Sequence, residues 1–154
     1  MRAVPATALL RDSERRWPDC ALGYASGVTH IEHIALWTLD IERLAAFYAR
    51  YFDAQVGAVY ANPSKGFESR FVRFENGARL ELMKTTLLRP VAHEPGAQRM
   101  GFTHLAISLG SEHRVDELTA TLRDAGFVVE SGPRRTGDGY YESVVLDPDG
   151  NRLE

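Results

Sequence analysis

The sequence has little of what marks secreted, membrane-spanning and nucleic-acid-binding proteins. Cys20 is its only cysteine, so no intrachain disulfide can form, which fits a reducing compartment. No apolar run approaches the roughly 20 residues that span a bilayer, and the apolar patch near the amino terminus is too short for a signal peptide. A net charge of −3 gives no reason to expect nucleic acid or an anionic membrane. We therefore expect a cytoplasmic protein whose partner is a small molecule or another protein.

The length and composition are those of a globular chain with one core. The 154 residues suit one compact domain or two small modules that share a core, and 44% of them are hydrophobic. Residues 1–27 stand apart, because they mix prolines, small residues and a charged run without any period. We interpret them as an N-terminal extension that is separate from the core.

An internal repeat organises the rest of the chain. The segment "HIALWT" from His33 resembles "HLAISL" from His104 at an offset of 104 − 33 = 71, and the apolar helical positions that follow keep this offset. Further on, "FVRFENGARLE" ending at Glu81 resembles "VVLDPDGNRLE" ending at Glu154, at an offset of 154 − 81 = 73. Two additional residues are an ordinary loop insertion. The chain therefore contains two copies of one structural unit.

Each copy predicts a strand, a helix and three further strands. In the first copy, residues 31–38 alternate as a strand and Asp40 is a suitable N-cap for a helix through Tyr51. In the second copy, Ser111 begins the helix and Gly126 closes it. Asn-Gly and Asp-Gly pairs mark the last turn of each copy. The other predicted strands lie at 55–60, 69–74, 78–85, 103–109, 127–130, 140–146 and from 152 onward.

The predicted fold class is therefore α+β, built from two β-α-β-β-β modules. The N-terminal extension covers 1–27, the first module 28–88, the linker 89–100 and the second module 101–154. Two prolines and a glycine mark the linker.

Strand alternation separates the candidate site residues from their neighbours. In the first strand it places His33 on one face, and His30 and Glu32 on the other together with Ile34, which we expect beneath the helix. His104 occupies the position of His33 in the second copy. The alternation thus excludes His30 and Glu32 as site residues and leaves both His33 and His104 free to line a cavity.

Two glutamates complete a pattern that is typical of a metal site. Glu81 and Glu154 occupy the equivalent last strands, and the spacings from the histidines are 81 − 33 = 48 and 154 − 104 = 50. A lone histidine in an apolar strand is commonly a core residue, but four residues in register favour a divalent cation. Such a cation is formally neutralised by two carboxylates and can stabilise a developing oxyanion. A glutamate released from it can transfer a proton, and Glu81 and Glu154 are both candidates.

These segments resemble a known superfamily. Modules that begin "EHIALWT" and "THLAIS" and end "ARLELM" and "DPDGNRLE" are similar to the vicinal oxygen chelate superfamily, in particular to its glyoxalase I branch, over residues 29–154. The resemblance implies curved mixed sheets around a metal-binding cavity, with one divalent metal held by His33, Glu81, His104 and Glu154. It favours nickel or cobalt, with zinc, manganese or iron as alternatives. It also implies a homodimer, in some members with the site built across the interface.

The resemblance further implies a glyoxalase I-like lyase or isomerase. Such an enzyme acts on a small oxygenated substrate by metal-stabilised, enediolate-type proton transfer. Trp37 and Thr85 stand where glyoxalase I usually has an arginine and an asparagine that serve glutathione, which argues against the standard lactoylglutathione reaction. We expect substrate contacts from Trp37, Phe71 and Tyr140.

Three other functions are compatible with the same pattern. A thiol transferase resembling fosfomycin-resistance proteins needs three ligands and leaves Glu81 as a cavity residue. An extradiol dioxygenase would use His33, His104 and Glu154 for iron. A non-catalytic ligand-binding protein of the bleomycin-resistance type lacks the metal set, so the retention of all four candidate ligands argues against it.

Overall fold

The computed structural model describes residues 29–90, 98 and 100–154. The predicted N-terminal extension, residues 1–27, lies outside the described residues, and so does most of the predicted linker at 89–100. Within the described part of the chain, no helix is both long and apolar enough to cross a membrane.

The first module is one helix packed on a four-stranded sheet. The elements are β1 (His33–Trp37), α1 (Ile41–Phe52), β2 (Gln55–Asn62), β3 (Phe67–Arg73) and β4 (Arg79–Thr85). The sheet order is β1-β4-β3-β2; β1 runs parallel to β4, and the other two pairings are antiparallel. A short 3₁₀ turn at Pro63–Lys65 connects β2 to β3.

The ends of α1 follow from local side-chain and backbone chemistry. The Asp40 carboxylate accepts the backbone N–H of Arg43 at 3.0 Å, which confirms the predicted N-cap. The helix ends where Asp53 adopts a left-handed conformation with φ of 53°. Between these caps, Leu44 and Tyr48 are fully buried against the sheet. The amphipathic pattern therefore fixes which side of the helix faces the core.

The second module has the same plan with a shorter first strand. The elements are α2 (Glu112–Asp124), β5 (Val129–Arg135), β6 (Tyr141–Leu146) and β7 (Arg152–Leu153). The sheet order is β5-β6-β7, and Ser111 caps the helix as predicted, by accepting the N–H of Arg114. Gly126 follows the helix with a left-handed φ of +87°.

The strand predicted at 103–109 is reduced to a single bridge. Leu105 pairs in parallel with Leu153, its N–H donates to the Arg152 carbonyl at 2.9 Å, and the N–H of Ile107 donates to the Glu154 carbonyl at 2.8 Å. The partner strand β7 is itself two residues long. The segment nevertheless lies where β1 lies in the first module.

The register of the two modules confirms the repeat. In the first module, Ile34 pairs with Leu80 in parallel. Adding the offset of 71 to Ile34 gives Leu105, and adding 73 to Leu80 gives Leu153, which are the two residues of the bridge. The two-module α+β fold predicted from the sequence is thus confirmed at the level of individual strand pairs.

The two modules share one core through their helical sides. The Phe127 ring lies 5.0 Å from Phe47 and 5.5 Å from Tyr51, measured between ring centroids. Leu122 and Leu153 of the second module are buried in the same cluster as the helix α1 residues. The faces of the sheets that point away from the helices are therefore open. On β1, exposure alternates along the strand, with His33 on the open face.

A buried carboxyl group ties the two modules together. Asp147, only 4% exposed, accepts the backbone N–H groups of Asp149 and Asn151 and the Asn151 side-chain amide, each at 2.9 Å. The Tyr48 hydroxyl of α1 donates to it at 3.2 Å. Burial raises the pKa of Asp147 even though these hydrogen bonds act in the opposite direction. Burial, and after it the charge of Asp147, raises the pKa of Tyr48, so this hydroxyl remains a donor.

We expect Tyr48→Phe to destabilise the protein by about 1.5 to 3 kcal/mol, because it removes a hydrogen bond to a buried carboxyl group and preserves the ring packing. The free energy of unfolding, measured by urea denaturation, checks this value. Tyr60→Phe is the matched control, since Tyr60 is 58% exposed, and it should change stability by no more than about 0.5 kcal/mol.

The raised pKa of Asp147 predicts a definite pH dependence of stability. In the unfolded chain the pKa of Asp147 is 3.8. As pH falls toward this value, the folded protein protonates Asp147 before the unfolded chain does, so the contribution of Asp147 to stability rises. This contribution is lost as pH increases through the folded-state pKa. The difference in unfolding free energy between wild type and Asp147→Asn should therefore widen in favour of wild type from about pH 7 to about pH 4. A difference that narrows over this range would contradict the assignment.

Candidate metal centre

The first module brings His33 and Glu81 together on its open face. His33 begins β1 and Glu81 lies in the neighbouring strand β4, where it pairs with Ala35. His33 Nε2 is 3.6 Å from Glu81 Oε2, and the two side chains are 39% and 18% exposed. The parallel pairing of β1 with β4 thus places two of the predicted metal ligands side by side.

The second module brings its own two candidates together in the same way. His104 Nε2 is 3.6 Å from Glu154 Oε2, and the side chains are 38% and 26% exposed. The N–H of Glu154 donates to the Leu105 carbonyl at 3.0 Å, which sets the register of this pair. The repeat therefore reproduces the distance between the two side chains as well as their spacing in sequence.

The chemistry and spacing of each pair fit a divalent metal ion. Imidazole nitrogen and carboxylate oxygen lie about 2.1 Å from a first-row ion, which puts two such ligands about 3.4 Å apart at a tetrahedral angle. Across the described residues, however, no three or more His, Cys, Asp or Glu side chains are grouped closely enough to hold a metal. Within the described part of the chain, the two His–Glu pairs therefore lie apart from each other.

Glu32 contacts the other nitrogen of the His33 ring. One oxygen of its carboxylate is hydrogen-bonded to His33 Nδ1, and the other is hydrogen-bonded to the Arg79 guanidinium. The prediction that Glu32 faces away from His33 is therefore wrong for its carboxylate, which reaches the His33 ring although the Glu32 carbonyl accepts the N–H of Arg79 in β4. The hydrogen bond with His33 is the main cause that lowers the pKa of Glu32, and Arg79 adds to it against the effect of burial.

Arg79 and Phe71 hold this arrangement from the adjacent strands. The Arg79 guanidinium carbon lies 4.1 Å from the centroid of the Phe71 ring. The His33 ring meets the same Phe71 edge-on, at 5.6 Å between centroids and an interplanar angle of 89°. Glu32, Arg79, Phe71 and His33 thus form a closed circuit of contacts, which we call the His33 support.

The second module supports its histidine differently. Thr103 occupies the position of Glu32 in the repeat, and its hydroxyl lies 3.2 Å from His104 Nδ1. Arg152, the counterpart of Arg79, pairs instead with Glu130 of β5 at 2.6 Å. Sequence reasoning missed both polar neighbours, although a polar residue directly before each histidine at the same repeat offset was a usable signal.

The predicted substrate-contacting residues lie in three different settings. Trp37 is 50% exposed on the same face of β1 as His33 and meets Phe67 edge-on at 6.4 Å between centroids. Phe71 contacts His33 and Arg79 as described. Tyr140, 70% exposed, lies in the turn before β6, at the position that Phe67 has in the first module.

Comparison with known proteins gives a consistent family. A family model described as Glyoxalase/Bleomycin resistance protein/Dioxygenase superfamily matches residues 30–154. An uncharacterised protein of Bacillus subtilis, YqjT, is 28% identical over 127 residues, which cover 80% of this chain and 95% of that protein.

Solved structures agree with this family in fold. A glyoxylase/bleomycin resistance protein/dioxygenase domain from Frankia superposes with a TM-score of 0.69 at 16% identity, covering 82% of this chain and 95% of that one. Glyoxalase I from Zea mays superposes with a TM-score of 0.63 at 19% identity. The match covers 80% of this chain but only 43% of the length of the maize protein. Since the family match extends over both copies of the repeat and both His–Glu pairs, the chain belongs to the glyoxalase/bleomycin resistance protein/dioxygenase superfamily.

Proposed function

We propose that the protein is a metal-dependent enzyme of the glyoxalase I-like group, a lyase or isomerase that acts on a small oxygenated substrate by proton transfer. The observation that carries this proposal is the pair of His–Glu contacts with the same 3.6 Å separation in two modules of one repeat. If the two histidines were ordinary core residues, nothing would require both of them to occupy the same strand position of the repeat and to face a glutamate there.

Four side chains would hold the ion: His33, Glu81, His104 and Glu154. Nickel or cobalt is favoured by the resemblance, with zinc, manganese or iron as alternatives, and the ion would supply Lewis-acid stabilisation of negative charge on a substrate oxygen. Glu81 and Glu154 are the candidate bases. Their side chains are 18% and 26% exposed, so a substrate on the open face of the sheet has access to either carboxylate.

A homodimer would complete the site. The shared core lies on the helical side of both sheets, so the two His–Glu pairs of one chain are carried on separate faces that open away from it. A second chain would bring the second-module pair opposite the first-module pair of its partner, and a dimer would contain two such sites.

The aromatic residues near the first pair suggest where the substrate lies. Trp37, Phe67 and Tyr60 form a run of edge-on ring contacts at 6.4 and 6.3 Å between centroids, and Trp37 and Tyr60 are each at least half exposed. An apolar part of the substrate would cover this surface while its oxygens reach the ion. Tyr140 would extend the contact from the second module.

Metal uptake is the first test. Wild-type protein incubated with nickel and desalted should retain about one ion per chain by elemental analysis, and Glu81→Gln should lower the affinity at least about tenfold, because it removes an anionic ligand. Glu117→Gln is the matched control: Glu117 pairs with His113 at 3.1 Å on the exposed surface of α2, so its loss should leave uptake unchanged. Wild-type protein that retains none of nickel, cobalt, zinc, manganese or iron would overturn the proposal.

Complementation tests the assembly of the site. His33→Ala and His104→Ala chains should each bind metal weakly alone. When the two are unfolded together and refolded, mixed dimers should regain one intact site, made from the unaltered first module of one chain and the unaltered second module of the other. Elemental analysis and turnover by the mixture, against each variant refolded alone, measure the recovery. No recovery in verified mixed dimers would mean that each site is built within one chain.

A further inference from the structure

The His33 ring has a carboxylate at each of its two nitrogens. Nδ1 contacts Glu32 within hydrogen-bonding reach, whereas Nε2 lies 3.6 Å from Glu81, beyond hydrogen-bonding distance. We propose that Glu32 is a positioning residue that holds His33 with its proton on Nδ1 and its Nε2 lone pair turned toward Glu81. This inference rests on the proposed metal site and names a residue of that site that is not itself a ligand.

The direction of the hydrogen bond follows from the partners. An ionised carboxylate has acceptor oxygens only, so the proton between Glu32 and His33 belongs to Nδ1. The neutral form of the imidazole, which is the form that binds a metal ion, carries only this proton, and its Nε2 is then an acceptor. Nε2 and Glu81 Oε2 are then two acceptors that face each other without a proton between them, an arrangement that attracts a cation.

Glu32 is itself held in place. Its second oxygen is bonded to Arg79, and Arg79 lies over the Phe71 ring at 4.1 Å while the edge of that ring faces His33. The His33 support therefore restrains both the proton and the orientation of the ring before any ion arrives. A ligand held in its binding geometry loses less conformational entropy on binding.

The second module provides an internal comparison. The Thr103 hydroxyl can both donate and accept, so its contact with His104 Nδ1 does not select one tautomer. Glu130, the carboxylate that pairs with Arg152, lies on β5. Only the first-module histidine is therefore held in one tautomer before metal binds. Substitutions of Thr103 and Glu130 alter the corresponding contacts in the second module and serve as comparisons.

The tautomer can be read in the metal-free protein. Nitrogen-15 NMR of the histidine side chains should show the His33 proton on Nδ1 in wild type and a shift toward Nε2 in Glu32→Ala. In Glu32→Gln, the amide oxygen can still accept from Nδ1, so this variant should restore the wild-type tautomer. Circular dichroism verifies that each variant is folded. If Glu32→Ala does not fold, the His33 tautomer and the nickel affinity of Glu32→Gln still test the role of the carboxylate.

Metal affinity is the second readout. Titration with nickel alone should show that Glu32→Ala binds about 10 to 100-fold more weakly than wild type, the usual effect of losing a group that orients a metal-binding histidine. Glu32→Gln should recover part of this loss. Glu130→Ala removes the equivalent carboxylate from Arg152, and it should bind nickel as wild type does. Thr103→Val should have a smaller effect than Glu32→Ala.

The outcomes separate this inference from the proposed function. If wild-type protein binds no metal, the proposed function fails, and the tautomer of metal-free His33 still decides the role of Glu32. A His33 proton on Nδ1 that moves in Glu32→Ala supports the inference. An unchanged His33 tautomer in Glu32→Ala overturns it, as does a nickel affinity that Glu32→Ala and Glu130→Ala lower equally.

Discussion

The contact between the helical sides of the two modules is the constraint on which the rest of the structure depends. Phe47 and Tyr51 of α1 pack on Phe127, and the buried Asp147 carboxyl accepts a hydrogen bond from Tyr48 across the same boundary. Because both sheets turn their apolar sides toward this shared core, their other faces open away from it. The four candidate ligands, which are 18% to 39% exposed, lie on those open faces.

The two His–Glu pairs show which parts of a repeated site the backbone determines. The parallel pairing of Ile34 with Leu80 has its counterpart in the bridge between Leu105 and Leu153. A shared register brings the same two positions together in each module, and both pairs have the same separation. Groups behind the histidines depend on side-chain length and rotamer instead, so the His33 support has no full equivalent around His104.

The success of sequence reasoning differed with the range of the interactions involved. Helix caps at Asp40 and Ser111 were predicted correctly because they depend on contacts within one turn. The face of His33 was correct because alternation is a property of the strand itself. The side chain of Glu32 was misjudged because its ion-pair partner, Arg79, is distant in sequence. The strand at 103–109 was overestimated because the extent of a strand depends on its pairing with a partner, which alternation along one segment does not record.

The sequence by itself determined the two-module repeat, the N-caps of both helices and the four candidate ligands, because periodicity and spacing are recorded in the order of residues. Only the tertiary structure decided that these candidate residues meet as two separate His–Glu pairs, that their faces open away from the shared core, and that Glu32 reaches the His33 ring. The physical reason is that these relations join residues far apart in the chain, through packing and ion pairs whose geometry no local pattern records.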